Sequence, residues 1–323
     1  MKRSILSAVC GTALAFAGIC AAQDNFPSKP ITMVVGFAAG GATDASARIV
    51  ARKLSENMKQ SVIVDNRPGA GGNVAAQLVA NAPPDGYTIH LISVGPLAVA
   101  PHLVKNLPYN PTRDLAPLTM GVAFPSVLVV HSGVPAKNLA ELVALAKRKP
   151  GSLDYASTGV GSASHLAGEL LNLRAGIDLV HIPYKGGGPI MTDLLGGRVT
   201  GYFAAPPTAA PHIEAGKLRA LATSGLKRSA FMPNVPTVAE QGYPGFEAVN
   251  WYAFVAPGKT PPALLVRWNA ELVKVLKDPE VKKQLAEHQL EPAPGTREEL
   301  AKYIQKESET WAKVIKAANI KAD

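Results

Sequence analysis

A repeated order of elements most constrains how this chain can fold. An apolar run at residues 31–35 leads through a glycine-rich turn at residues 36–41 into an amphipathic helical pattern at residues 44–58. Two further apolar runs, residues 62–64 and 88–92, flank a second glycine-rich turn and a second helix. Strand, helix, strand, helix, strand is the order of a parallel sheet that is covered on both faces. The first part of the chain is therefore predicted to form an α/β lobe.

The same order recurs downstream. A strand at residues 153–156 leads through a turn rich in Gly and Ser, residues 157–164, into a helical pattern at residues 165–173. The next strand, residues 179–182, precedes another glycine-rich turn at residues 183–189. Each half thus has one such turn after its first strand and one after its second. The length of the chain also exceeds the usual size of one core, so we predict two structurally related lobes.

Two extended apolar segments, residues 126–131 and 250–257, are candidates for strands that cross between the lobes. A chain that crosses there and back returns its helical C-terminal region to the first lobe. We therefore predict lobe 1 from residues 23–126 together with 251–323, and lobe 2 from residues 127–250. Two connections form a hinge, and a hinge allows the cleft between the lobes to close.

The N-terminus has the pattern of a secretory signal peptide. A positive start at Lys2 and Arg3 is followed by an apolar run at residues 5–19 and then by small residues. This run is short for a membrane span. We predict that residues 1–22 are removed and that the mature protein is exported. No later stretch is long and apolar enough to cross a membrane.

Both cysteines, Cys10 and Cys20, lie in the segment predicted to be removed. The mature protein would then hold no disulfide and no thiolate metal site. Acylation of Cys20, as in a lipoprotein, is an alternative, although Ile19 stands where a small residue is usual. The formal net charge of +9 is spread along the chain without an aromatic-interleaved patch, so we predict no nucleic-acid partner. The surplus of positive charge either simply makes the protein surface basic or also attracts anionic ligands.

Two of the predicted turns, residues 36–44 and 157–164, have the features of an anion site. The first N–H groups of a helix have no partner within it, and the helix dipole adds positive charge there. Glycine lets a ligand approach the backbone, so such a turn can hold a carboxylate without arginine. On opposite lobes the two turns would face one another with unpaired donors. The alternative is that they are tight turns on which helices pack against strands.

Several nearby side chains allow two interpretations. Asp44 either caps a helix or contacts a ligand ammonium, hydroxyl or bridging water. Trp251 and Tyr252 either line the cleft or form the core of the hinge. Lys185 either reaches an anion or points to solvent. His165, beside two serines, would act as a base only if a third group oriented it, and none is evident. The histidines show no metal spacing, so we predict no enzyme, no metal and no cofactor.

The sequence also resembles the Bug-type receptors, which are the substrate-binding proteins of tripartite tricarboxylate transporters. The resemblance covers nearly all of the mature chain in order. It is carried by FAAGGATD at residues 37–44 with Ala47 and Arg48, VDNRPGAGG at 64–72, PDGYT at 84–88, STGVGS at 157–162, VHIPYKG at 180–186, PTVAEQG at 236–242, and Trp251 with Tyr252.

This resemblance implies an α/β periplasmic binding protein of the two-lobed type II, or Venus-flytrap, class with two crossover hinge strands. It implies a small carboxylate ligand, held by backbone N–H groups, hydroxyls and ordered waters, and delivery to inner-membrane transporter subunits. A ligand sensor that presents its closed form to a signalling partner is the alternative. Ala205 and Pro206 lie where the family often has a wall of the cleft, and family members often have an acidic residue near that place. The candidate ligand-binding residues are Phe37, Ala39, Gly40, Gly41, Asp44, Ser93, Thr158, Gly159, Gly161, Ser162, Tyr184 and Ala205.

Overall fold

The computed structural model describes residues 26–321, so the predicted signal peptide and both cysteines lie outside the described residues. Within that range, the strands form one six-stranded and one five-stranded sheet. We number the strands in chain order. The first sheet contains β1 (Ile31–Val35), β2 (Val62–Asn66), β3 (Thr88–Ser93), β4 (Leu115–Pro125), β10 (Val249–Pro257) and β11 (Glu291–Pro292). The second contains β5 (Val127–His131), β6 (Asp154–Ser157), β7 (Val180–Pro183), β8 (Gly201–Ala204) and β9 (Leu218–Thr223).

The two sheets share one topology. In the first, β1 lies between β2 and β3 and is parallel to both, while β10 runs antiparallel to β3 and β4. In the second, β6 lies between β7 and β8 and is parallel to both, while β5 runs antiparallel to β8 and β9. Each lobe therefore joins three parallel strands to an antiparallel strand that begins or ends at a crossing. The prediction of two related α/β lobes is confirmed.

Helices connect and cover these strands. Those in the first lobe are α1 (Ala42–Met58), α2 (Asn73–Ala80), α3 (Ala100–Leu103), α8 (Pro262–Lys277), α9 (Pro279–Glu287) and α10 (Arg297–Ala317). Those in the second lobe are α4 (Leu139–Arg148), α5 (Ala163–Ala175), α6 (Gly187–Leu195) and α7 (Pro206–Glu214). The predicted C-terminal helices appear as α8 and α10, and α10 begins with a capping box between Thr296 and Glu299. Among the described residues, no helix is both long and apolar enough to span a bilayer.

The chain crosses between the sheets at two places. Ser126 alone separates β4 from β5, and residues 224–248 separate β9 from β10. The Ser224 hydroxyl joins the two crossings, because its Oγ accepts the Ser126 N–H at 2.9 Å and donates to the Ala248 carbonyl at 2.7 Å. The Ser224 N–H also donates to the Ser126 carbonyl at 2.9 Å. The second crossing ends just before the segment expected to form it, since Asn250 already pairs in the first sheet.

Candidate functional site

A cleft with about 460 Å³ of space between atoms, its mouth included, lies between the two lobes. Only about 30 Å³ of it is open to the centre of a water molecule, so the cleft is narrow in this structure and the lobes must move apart to admit a ligand. Loops and strand ends of both lobes contribute to it. The lining residues are Phe37, Gly41, Ala42, Thr43, Ser93, Thr158, Ser162, Ala163, Ser164, Gly187, Tyr202, Phe203, Ala205, Thr208, Asn250 and Tyr252.

Four helices begin at this cleft. The residues at their N-caps are Gly41 for α1, Ser162 for α5, Gly186 for α6 and Ala205 for α7. In the described part of the chain, no side chain caps α1, α6 or α7. Helix dipoles and unpaired first-turn N–H groups make such ends favourable to anions. The cleft therefore has a positive potential that comes from the backbone.

The side chain of Asp44 stabilises the first-lobe turn. This residue is the third of α1, and its carboxylate reaches back to accept the Gly40 N–H at 3.1 Å. Arg48 Nε donates to the same carboxylate at 3.0 Å. Burial alone would raise the pKa of Asp44, but the bonds from Arg48, Gly40 and Asn66 outweigh burial and hold this pKa below its ordinary value. The interpretation of Asp44 as a cap at the start of α1 is wrong, because Gly41 occupies that position.

The second-lobe turn uses most of its own donors. The Thr158 N–H donates to Ser164 Oγ at 3.0 Å, and the Gly159 N–H donates to Ser157 Oγ at 3.1 Å. The Gly161 N–H donates to His165 Nδ1 at 3.1 Å. The expectation of unpaired backbone donors on both lobes is therefore wrong for Thr158, Gly159 and Gly161. This turn instead presents hydroxyl groups and the first turn of α5 to the cleft.

His165 serves this turn as a buried neutral acceptor. Its ring stacks on that of His181 with centroids 4.1 Å apart, and only 4 % of the residue is exposed. Burial, helped by the neighbouring His181, lowers the pKa of His165 to about 3. Because Nδ1 accepts the Gly161 N–H, this nitrogen carries no proton. His165 thus shapes the turn.

The other glycine-rich turn of the second lobe brings α6 against α1. A Cβ placed on Gly41 would lie 3.7 Å from the backbone nitrogen of Gly187. Beside this contact, the Ala38 N–H donates to the Lys185 carbonyl at 3.1 Å and so joins the two lobes. The side chain of Lys185 is exposed, and its backbone supplies this contact. The N-termini of α1 and α6 therefore meet across the cleft from opposite lobes.

Helix α7 contributes a wall rather than donors. Its first two residues, Pro206 and Pro207, have no N–H, and the Thr208 N–H donates to the Ala205 carbonyl at 3.0 Å. Ala205 itself is apolar and 7 % exposed. The dipole of α7 still points its positive end at the cleft, but a ligand meets a hydrocarbon surface there.

The polar side chains of the cleft are uncharged. Among the residues that the structure describes, no Asp, Glu, Lys, Arg or His lines it. Burial raises the pKa of Tyr252 to about 12, with an opposing hydrogen bond to Thr43, and burial also raises the pKa of Tyr202. Both phenols therefore stay protonated and can donate. Within residues 26–321, Ser93 Oγ and Asn250 Oδ1 are buried without a hydrogen-bond partner.

The structure brings half of the sequence-predicted site residues to the cleft wall. They are Phe37, Gly41, Ser93, Thr158, Ser162 and Ala205. The other six lie beside the wall, and their contact with a ligand stays a prediction. They are Ala39, Gly40, Asp44, Gly159, Gly161 and Tyr184, whose hydroxyl donates to Asp193 at 2.8 Å.

The two aromatic residues on β10 separate. Tyr252 lines the cleft, whereas Trp251 is fully buried and its Nε1 donates to Glu307 Oε2 at 3.0 Å. Sequence reasoning missed Tyr202, Thr208 and Asn250, which belong to no motif. In the part of the chain that the structure describes, no three His, Cys, Asp or Glu residues are grouped to hold a metal ion.

Comparison with known proteins gives consistent matches along the chain. The family model described as tripartite tricarboxylate transporter family receptor matches residues 46–320. Protein BugT of Bordetella pertussis is 39 % identical over 324 residues, which cover 99 % of each chain. The solved structure of Rpa4515 from R. palustris with adipate has a TM-score of 0.89 at 35 % identity, covering 92 % of this chain and 99 % of that one. MatC from Rhodopseudomonas palustris with bound malate has a TM-score of 0.86 at 31 % identity, covering 90 % and 100 %.

Proposed function

Because this chain belongs to the tripartite tricarboxylate transporter receptor family, we propose that it captures a small organic carboxylate in the periplasm and delivers it to the membrane subunits of a transporter. Solute binding is the role of the family. The carboxylate, the delivery step and the location are the proposed parts. Export by the predicted signal peptide supports the location.

One observation carries the choice of a carboxylate. The N-termini of α1, α5 and α6 converge on a cleft that no charged side chain lines among the described residues. Such ends stabilise negative charge by dipoles and N–H groups that need no rearrangement on binding. The relatives support the same class, since Rpa4515 was solved with adipate and MatC with malate.

Capture would work by closure of the two lobes. We take the lobes as predicted, with lobe 1 as residues 23–126 and 251–323 and lobe 2 as residues 127–250, except that Val249 and Asn250 join lobe 1 because β10 begins at Val249. A ligand that touches α1 on one lobe and α5 or α6 on the other favours the closed state through its differential affinity. The Ser224 hydroxyl bonds to both crossings and so holds them together where the lobes would rotate. We propose no catalytic step.

The chemical class can be tested with matched ligands. The mature protein, starting at Gln23, would be screened by thermal shift against mono-, di- and tricarboxylates and then titrated by calorimetry. We expect carboxylates to raise the melting temperature, whereas their amides, such as succinamide beside succinate, should not. The amides match the acids in shape, but they lack the charge and carry an NH2 donor in place of one acceptor oxygen. Equal binding of both would contradict an anion site.

Delivery needs a cellular measurement. Deletion of the gene should abolish uptake of the radiolabelled ligand, and a plasmid copy should restore it. Intact uptake combined with a lost transcriptional response to the ligand would instead support the sensor role.

A further inference from the structure

Three polar side chains stand together on one face of the first sheet. Tyr252 on β10 pairs directly with Ser93 on β3, and Asn250 precedes Tyr252 by two residues on the same strand. Residues two apart point to the same face of a strand, and directly paired residues share that face. Ser93 and Asn250 therefore flank Tyr252, with diagonal neighbours about 7–8 Å apart. All three line the cleft.

Two of these side chains carry a buried oxygen that has no hydrogen-bond partner among the described residues. Ser93 is 4 % exposed, and within residues 26–321 neither its Oγ nor Asn250 Oδ1 has a hydrogen bond. Other cleft hydroxyls do have partners, since Ser164 Oγ accepts the Thr158 N–H and Thr208 Oγ1 donates to the Ala205 carbonyl at 2.8 Å. Buried polar atoms are nearly always hydrogen-bonded in folded proteins. Of the buried unpaired side-chain atoms among the described residues, only Ser93 Oγ and Asn250 Oδ1 belong to residues that line the cleft, so a ligand group can supply their partner.

The surroundings restrict what that group can be. An ammonium would need an acidic counter-charge, and no Asp or Glu lines the cleft among the described residues. Asp44 does not line the cleft, and its charge is already paired with Arg48, whose Nη2 lies 2.9 Å from Asp44 Oδ1. A second carboxylate only accepts, so it would leave Asn250 Oδ1 unpaired in the amide orientation of this structure. A hydroxyl both donates and accepts, so it can pair with Asn250 in either orientation of the amide, and also with Ser93.

We propose that Ser93 and Asn250 read a hydroxyl group on the ligand, so that the cargo of this receptor is a hydroxycarboxylate. This inference rests on the proposed function, because the helix N-termini must hold the carboxylate. A site built to bond a hydroxyl discriminates strongly against the analogue that lacks it, since the analogue leaves buried polar atoms unpaired. Selectivity would then reside on the first-lobe sheet, and anion capture on the helix ends.

The test uses ligand pairs that differ by one hydroxyl. Malate with succinate, 3-hydroxybutyrate with butyrate, and 4-hydroxybenzoate with benzoate would be titrated calorimetrically against the wild type, Ser93→Ala and Asn250→Ala. Asn81→Ala, on the exposed end of α2, is the matched control. Thermal unfolding of each ligand-free variant checks the fold. Ser93→Ala removes one atom and supports the test if Asn250→Ala proves unstable.

We expect the wild type to prefer at least one hydroxy acid over its partner by about tenfold or more. Each cleft variant should bring this ratio close to one by weakening the hydroxy acid more than its hydroxyl-free partner. Asn81→Ala should keep the wild-type ratio. If both members of every binding pair bind equally in all proteins, the hydroxyl inference is overturned and the carboxylate receptor stands. If no acid of any pair or of the wider carboxylate panel binds, both proposals fail.

Discussion

Gly71 of the first lobe lies so close to Val160 of the second that a Cβ at position 71 would overlap the Val160 carbonyl oxygen. Gly159 approaches the same place, since its own Cβ would sit 2.8 Å from the Gly71 nitrogen. On the same seam, a Cβ on Gly95 would lie 2.8 Å from the Gly161 carbonyl oxygen. The lobes thus meet backbone to backbone along glycines, and the closed arrangement depends on missing side chains.

We therefore expect Gly71→Ala to hinder closure and to weaken ligand binding by about tenfold or more. Position 71 has φ +63°, so alanine there also costs about 1–2 kcal/mol of backbone strain. Gly176→Ala is the matched control, because it has φ +58° with nothing within 4 Å of the added Cβ. Both variants should lose similar stability in urea, but only Gly71→Ala should lose affinity. Small-angle scattering with ligand should show Gly71→Ala in a more open form than the wild type. Equal ligand affinities of Gly71→Ala and Gly176→Ala would mean that the glycine contact between the lobes is not needed for binding.

Gly41 offers a direct test of the anion site. Its φ of −90° and ψ of 172° are extended angles that any residue adopts, and the nearest atoms to an added Cβ are 3.7 Å away. Gly41→Val should therefore fold normally, while its side chain fills the cleft where α1 meets α6. We expect a loss of affinity of at least about a hundredfold, with the ligand-free melting temperature lowered by only about 2–4 °C because valine is a poorer N-cap residue than glycine by about 1 kcal/mol. Retained affinity would show that the ligand binds elsewhere.

The lobes and the first turn could be predicted from sequence because their causes are local. Residues 31–35 and 44–58 carry the periods of a strand and a helix, and glycines mark the turn between them. The fate of the donors in the second turn could not be predicted. It depends on where the side chains of Ser164 and His165 point after α5 forms, and both happen to fold back onto the turn.

The cleft residues that could not be predicted from sequence were missed for a different reason. Asn250 reaches the site because β10 inserts between β3 and β4, strands more than a hundred residues earlier in the chain. Tyr202 and Thr208 come from β8 and α7, which carry no glycine-rich turn of their own. No local period or motif encodes such a neighbourhood. The order of the first sheet brings Asn250 near Ser93, and the approach of the second lobe brings Tyr202 and Thr208 to the same cleft.

The hinge can be probed through Ser224. Ser224→Ala removes the acceptor of the buried Ser126 N–H and the donor to the Ala248 carbonyl. Leaving such groups unpaired should lower the free energy of unfolding by about 1–3 kcal/mol, measured by urea denaturation. Ser152→Ala is the matched control, because that hydroxyl also donates to a backbone carbonyl, Lys149, but at the surface. It should change stability by no more than about 0.5 kcal/mol, and an equal effect of both would mean that Ser224 is not a structural link.

Two buried histidines predict how stability depends on pH. Burial lowers the pKa of His90 to about 4 and that of His165 to about 3, from an ordinary value of 6.5. Between the ordinary pKa of 6.5 and each lowered folded-state pKa, the unfolded chain binds more protons than the folded chain. The free energy of unfolding therefore falls as the pH decreases below 6.5. Each histidine should make the free energy of unfolding about 2 kcal/mol lower at pH 5 than at pH 7. This decrease should level off once the pH passes below the folded-state pKa of that histidine.

His165→Asn isolates one of these contributions. The Asn oxygen can accept the Gly161 N–H as Nδ1 does, but it does not titrate in this range. We expect the difference in unfolding free energy between pH 7 and pH 5 to shrink by about 2 kcal/mol in this variant. His288→Asn, at an exposed position, should leave the difference unchanged. An unaltered pH dependence in His165→Asn would mean that His165 takes up a proton inside the folded protein, which its stacking on His181 and its bond from Gly161 oppose.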